Sequence, residues 1–229
     1  MAGINQIGDS QPERPRSRRP RVKQDEWLTT AIDDYLTGVM KAPRPGVFHP
    51  SSLGNPCDRA LWLNYHGKMV DQPLPPTLQR IFQNGNFLED RVDKWFTGLR
   101  ILMGREISVK YENPPISGRI DFLIRHDEHG IIPVELKSIN TSGFGKLTRP
   151  KEEHFIQLQL YLQLGKYECG IVLYENKNDQ QIKAFLVVRD DAVWESLLER
   201  CLRIQNMNTM PLICTGAPWC ACKLVTDEN

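Results

Sequence analysis

The chain has 229 residues, 40% of them hydrophobic and 25% charged, ordinary values for a globular protein with room for a substantial core. A net charge of +1 excludes global basicity, so any contact with a polyanion must come from a local patch. Its apolar runs are too short to span a bilayer and its opening residues carry no secretory signal; a reducing, cytoplasmic setting is expected, where the six cysteines would bind metal rather than form disulfides.

Residues 1–24 contain Arg14, Arg16, Arg18, Arg19, Arg21 and Lys23, three prolines and almost no apolar side chains. This composition predicts a disordered basic tail, which either adds phosphate contacts or merely keeps the chain soluble. The rest, 25–229, is expected to form one domain. From Asp25 to Met40 a helix is predicted, because Trp27, Leu28, Ile32, Tyr35, Leu36 and Val39 recur near a helical period, and Pro43 and Pro45 end it. Asn55 then reads as an N-cap and Pro56 as a first helical residue, which puts Cys57 in a first turn, where a helix dipole favours a thiolate.

Residues 78–96 form the next predicted helix, with Leu78, Ile81, Phe82, Leu88, Val92, Trp95 and Phe96 as its apolar stripe. Gly85 lies one turn from Glu89 on the same face, and a glycine in mid-helix costs about 1 kcal/mol against alanine. It is expected either to clear space beside that carboxylate or to allow a tight helix crossing. Residues 105–111 read as a strand.

Two apolar runs within 117–139 flank a polar turn, His126 to Gly130, and predict a β-hairpin. Asp121 and Glu135 are equidistant from its centre and so face each other across the ladder, with Cβ atoms about 5 Å apart. Alternation puts Lys137 on the face of Glu135, and Ile120, Phe122, Ile124, Val134 and Leu136 on the other. Opposed carboxylates repel; a hard divalent cation such as Mg²⁺ or Mn²⁺ removes that cost, and a neighbouring lysine can orient or deprotonate a bound water. The same spacing also suits an exposed hairpin whose charges are merely solvated.

A Gly/Ser/Thr loop, 140–150, follows, and Lys146, Arg149 and Lys151 could lie against a substrate backbone. Next comes a helix from about Glu152 to Lys166, with Gln157 and Tyr161 on one face and Leu158, Leu162 and Leu164 towards the core. Cys169–Lys177 and Lys183–Arg189 are predicted strands. Asp190 or Asp191 caps a last helix through about Met207, burying Val193, Trp194, Leu197, Leu198, Cys201 and Leu202. Cys214, Cys220 and Cys222 lie within nine residues at the end; a four-thiolate site lacks one ligand, and Cys57 is the natural donor. Four thiolates suit a [4Fe–4S] cluster or Zn²⁺, and would close a loop of more than 150 residues.

Gly85-x-x-x-Glu89, Ile120-Asp121, Glu135-Leu136-Lys137 and Gln157-x-x-x-Tyr161, in that order, resemble a RecB-type nuclease of the PD-(D/E)XK superfamily over roughly residues 50–222. The one-plus-three cysteines resemble the iron–sulfur nucleases of the AddB and CRISPR-adaptation type, and the compact form resembles phage-encoded members. The resemblance implies an α/β restriction-endonuclease-like core with a central mixed β-sheet flanked by helices. It implies Glu89, Asp121, Glu135 and the Leu136 carbonyl as ligands of a catalytic Mg²⁺ or Mn²⁺, Lys137 as activator of the water, and Gln157 and Tyr161 as residues orienting DNA or the lysine. Cys57, Cys214, Cys220 and Cys222 would hold the cluster. Three departures stand out: Ile120 replaces the family's proline, Glu89 stands where RecB has histidine, as in the lambda exonuclease pattern, and the last cysteines are spaced x5 and x rather than opening with CxxC.

The implied activity is a metal-dependent DNA exonuclease of recombination, repair or phage DNA processing, with DNA ends as substrate. A recombination or replication protein would be a partner, no membrane is involved, and the setting is the cytoplasm, that of a host if the chain is phage-encoded. Rival readings are a structure-specific or nicking endonuclease on the same site, and a non-catalytic iron–sulfur or zinc DNA-binding subunit.

Overall fold

The computed structural model describes residues 24–216 and 220–225; the basic stretch 1–23 lies outside them. Helices are α1 (Glu26–Leu36), α2 (Pro50–Leu53), α3 (Asp58–Tyr65), α4 (Pro76–Gly98), α5 (Thr141–Gly145), α6 (Glu152–Gly165) and α7 (Asp191–Gln205). Strands are β1 (Gly38–Met40), β2 (Gln72–Leu74), β3 (Leu102–Tyr111), β4 (Ile116–His126), β5 (Gly130–Ile139), β6 (Cys169–Asn176) and β7 (Ile182–Val188), and a 3-10 turn spans Ala221–Leu224.

Five strands make a mixed sheet in the order β3-β4-β5-β6-β7, with β5 and β6 parallel and the other neighbours antiparallel. The parallel pair needs a crossover, which α5 and α6 provide. Ile132 to Leu136 of β5 are all buried, as expected of a strand covered on both faces. On one side α4 packs Leu88, Val92 and Phe96 against Phe122, Val134, Leu136 and Leu173. On the other, α6 packs Leu158, Tyr161 and Leu162 against Val172 and Tyr174. A third cluster joins α3, α7 and the C-terminal turn through Leu61, Trp62, Leu197, Cys201, Ile204 and Cys222. This is the restriction-endonuclease-like α/β arrangement expected. No described helix is long and apolar enough to cross a membrane.

Several local expectations need correction. The first helix stops at Leu36, because 38–40 pairs with 72–74 as a two-stranded ladder. The third helix is capped by Cys57 itself: its sulfur accepts the Ala60 N–H at 3.3 Å, while the Asn55 side chain accepts the Cys57 N–H at 2.9 Å. Arg200, on α7, fixes this segment by donating to the Leu53 and Asn55 carbonyls, so the helix starts two residues late. The loop after β5 contains α5, capped by the Asn140 side chain. In α7, Leu202 is exposed and Ile204 takes the buried position.

Strict alternation also fails at Ile120, which packs with Val109, Leu158 and Tyr161 rather than with Phe122 and Ile124. The paired register of β4 with β5 reaches only to Phe122↔Val134, and Glu106 of β3, next to the Ile107↔Ile120 pair, has φ +55°. Relieved of β5 and running beside a distorted β3, the strand rotates and turns Ile120 towards α6.

Candidate active site and thiol centre

Extending the β4–β5 register by one step puts Asp121 opposite Glu135, as the hairpin symmetry predicted. The strands part there, and the Leu136 N–H donates to Asp121 Oδ2 at 2.8 Å instead of entering the ladder. Glu135 is completely buried. Lys137 Nζ lies 2.5 Å from its Oε1, yet neither Glu135 oxygen accepts a well-aligned hydrogen bond among the described residues. A buried carboxylate left in that state is costly unless a further partner is supplied.

Burial first, then the Asp121 charge, pushes the Glu135 carboxyl up to about 8. Burial also raises Asp121, against the Leu136 N–H and Lys137, which pull it down. Glu89 reaches this group from α4: burial and then the Asp121 charge raise it, and Arg105 lies 3.6 Å away. Burial raises all three carboxyls, and neighbouring carboxylates raise them further, so together they ionise more readily beside a cation. The oxygen-rich donor set fits a hard divalent ion.

Gln157 and Tyr161 are buried on α6, with Gln157 Nε2 donating to the Tyr161 hydroxyl at 3.2 Å. With Asp121 they line a cleft of about 450 Å³, whose other wall includes His49, Ser117 and Arg119. His49 Nδ1 donates to the Ser117 carbonyl at 3.0 Å and fixes α2 over the cleft. Gly118 is required here: a Cβ on it would meet Pro50 Cγ at 2.7 Å and Tyr161 Cε1 at 2.9 Å. Gly85, by contrast, faces open space, so it clears room for no part of the described chain.

Sequence reasoning missed three contributors. Glu106 raises both Asp121 and Glu89 and is ion-paired to Arg119 at 3.2 Å. Arg105 joins Glu89 and Asp90. His154, one turn before Gln157, has Nδ1 2.7 Å from the Tyr174 hydroxyl and is pushed down to about 3, by burial and then by Lys137. Only His154 left a signal, the i, i+3 spacing to Gln157. Of the expected DNA contacts, Lys146 and Arg149 are exposed and Arg149 lines a groove beside β7. Lys151 precedes α6, and its N–H donates to the Tyr174 hydroxyl at 3.0 Å.

Cys57, Cys214, Cys220 and Cys222 converge, their sulfurs all within 4.8 Å of one another. Cys214 and Cys222 are 3.4 Å apart. Arg59, buried in α3, donates to the carbonyls of Pro211, Cys222 and Val225 and so holds the C-terminal segment against Cys57. Burial pushes the Cys57 thiol up to about 12, and the hydrogen bond from Cys222 draws Cys214 down to about 7. In a tetrahedral Zn–thiolate site with bonds of about 2.3 Å, neighbouring sulfurs lie about 3.8 Å apart, so the donor set fits one such ion. A [4Fe–4S] cube, in which each thiolate binds its own iron, needs the sulfurs wider. A cavity of about 990 Å³ bounded by Cys57, Cys214 and Cys220 adjoins them. Cys169 and Cys201 are buried in the core, as expected.

The fold these elements define is shared with solved structures. The chain is similar to the crystal structure of SSO0001, with a TM-score of 0.55 and 17% identity over 88% of this chain and 94% of that one. It is also similar to an alkaline exonuclease from Laribacter hongkongensis, with a TM-score of 0.51 and 16% identity over 70% of this chain and 87% of that one. No family model matches the sequence, and no curated protein matches it.

Proposed function

We propose that the protein is a divalent-metal-dependent DNA exonuclease whose active site is the Asp121–Glu135–Lys137 face. The observation that carries the proposal is Glu135, a fully buried carboxyl opposite Asp121 and paired with Lys137 at 2.5 Å. The fold likeness to an alkaline exonuclease supports it. Glu89, Asp121, Glu135 and the Leu136 carbonyl would hold Mg²⁺ or Mn²⁺. A cation held there polarises the scissile phosphate and acidifies a bound water.

The chain's own groups do the rest. Lys137, tethered to Glu135, orients the attacking water in line with the leaving oxygen. Asp121 is aimed by the Leu136 N–H, which donates to its Oδ2. Tyr161 and Gln157 line the substrate cleft and orient the DNA backbone. Cleavage leaves a 5′-phosphate. Lys146, Arg149 and Lys151 add phosphate contacts. Residues 25–229 act as one nuclease domain.

The four thiols form a structural metal centre that ties α3 to the C-terminus. Their present spacing favours a single tetrahedral ion such as Zn²⁺. The adjoining cavity gives room to open the site for a [4Fe–4S] cluster. Broad absorbance at about 400 nm in anaerobically purified protein identifies the cluster, and its absence with stoichiometric zinc identifies the ion.

The test is digestion of linear single-stranded, linear duplex and closed circular DNA with Mg²⁺ or Mn²⁺. Loss of linear substrates with circles spared supports the exonuclease. Nicking or cutting of circles makes it an endonuclease on the same site.

A further inference from the structure

Helix α4 borders a second unexplained surface, on the face of β5 opposite Lys137. A cavity of about 280 Å³ lies where α4 crosses the C-terminal ends of β5 and β6. Its walls include Asn84, Phe87 and Arg91 from α4, Ser138 from β5, Glu175 from β6, and Lys177 and Gln180 from the following turn. Ser138 follows Lys137 on the opposite face of β5, and the cavity-lining Leu88 precedes Glu89. The crevice outside the carboxyl ends of parallel strands is a recurrent ligand position in α/β sheets.

The chemistry of the walls selects the ligand. Phe87 is 70% exposed at the rim, although it is a large aromatic side chain. Glu175 is buried and ion-paired to Arg91, whose guanidinium also lies over the Trp95 ring. Arg91 neutralises Glu175 and Lys177 adds a positive charge, so the walls tolerate a strand's phosphates, and the carboxylate remains an acceptor for the exocyclic amine of a base. Asn84, Ser138 and Gln180 provide further donors and acceptors, and an exposed ring provides a stacking platform for a base of any sequence.

Gly85 supplies an independent observation. It sits within a 23-residue helix, where glycine is disfavoured, and a Cβ there would touch nothing in the described chain within 4 Å. Close approach of something outside the chain is a reason for a glycine at such a position. Gly85 shares the face of Glu89, one turn away.

We propose that the α4–β5–β6 crevice receives an unstacked nucleobase of a single DNA strand bound along α4, with the strand's sugar–phosphate backbone passing over Gly85 towards Glu89. The inference rests on the nuclease reading and specifies its substrate as an end whose bases are unpaired.

Binding is measured by fluorescence anisotropy on the full chain, with Ca²⁺ in place of Mg²⁺, using a labelled single-stranded oligonucleotide and one of equal length built of abasic residues. Phe87→Ala is expected to weaken the normal strand at least about five-fold and leave the abasic strand unchanged. Gly85→Ala is expected to weaken both strands while raising the melting temperature by about 2–4 °C. Equal affinity of Phe87→Ala and wild type for the normal strand overturns the proposal, as does an equal loss on both strands. A Gly85→Ala protein that melts lower and binds normally assigns that glycine to internal packing and overturns the backbone path. Should these variants bind as wild type while wild type still digests linear DNA with Mg²⁺ or Mn²⁺, the base site fails and the nuclease stands. Wild type that neither binds nor cuts linear DNA overturns both.

Discussion

Glu135 makes the site's electrostatics measurable without any substrate. Its carboxyl rises from 4.5 to about 8 in the folded chain, chiefly through burial. The folded state therefore holds this proton more tightly than the unfolded state. Its contribution to stability is fully present below pH 4.5 and is lost as pH rises through 8. A shift of this size corresponds to at most about 5 kcal/mol, or a fall in melting temperature of about 10–20 °C across that window. Glu135→Gln removes the charge and keeps the shape. In buffer free of Mg²⁺ and Mn²⁺ the variant should melt above wild type at pH 9, with the slope left by Asp121 and Glu89. Added Mn²⁺ should raise the wild-type melting temperature and leave the variant unmoved. The assay is thermal unfolding from pH 5 to 9, with and without cation. Superimposed curves for the two proteins would refute the reasoning, because they would mean that Glu135 is neither strained nor a ligand.

Two further perturbations probe the scaffold. Gly118→Ala puts a methyl group 2.7 Å from Pro50 Cγ and 2.9 Å from Tyr161 Cε1. Overpacking of this kind costs about 1–3 kcal/mol, so a lower melting temperature is expected in unfolding scans, with a drop in kcat as Tyr161 is displaced. Cys57→Ser should abolish the bound metal in elemental analysis and lower stability, since binding by thiolates from both ends of the chain contributes directly to folding. Full metal content in that variant would contradict the four-thiol centre.

The parts of the structure legible in the sequence are those governed by local periodicity. Hairpin symmetry placed Asp121 against Glu135, and helical spacing placed Gln157 beside Tyr161. The fourth cysteine was found by counting thiols, and the structure brings Cys57 to the other three. What escaped depended on partners remote in sequence. Nothing local marks Glu106 for a positive φ or for the neighbourhood of Asp121 and Glu89. Ile120 changed face because β4 leaves β5 at Phe122. Asn55 looked like a cap, but the Arg200 contacts from α7 set where the helix begins. The crevice under α4 exists only once a helix has crossed the ends of two parallel strands.

The central claim is that the hairpin face carries out metal-dependent DNA cleavage. Its most direct test is the rate of linear DNA digestion, with Mg²⁺ or Mn²⁺, by wild type and by Lys137→Ala in parallel. Wild type should degrade the DNA, and Lys137→Ala, still folded, should be at least about a hundred-fold slower. Digestion by Lys137→Ala at the wild-type rate would contradict the account, because the activity would then reside elsewhere.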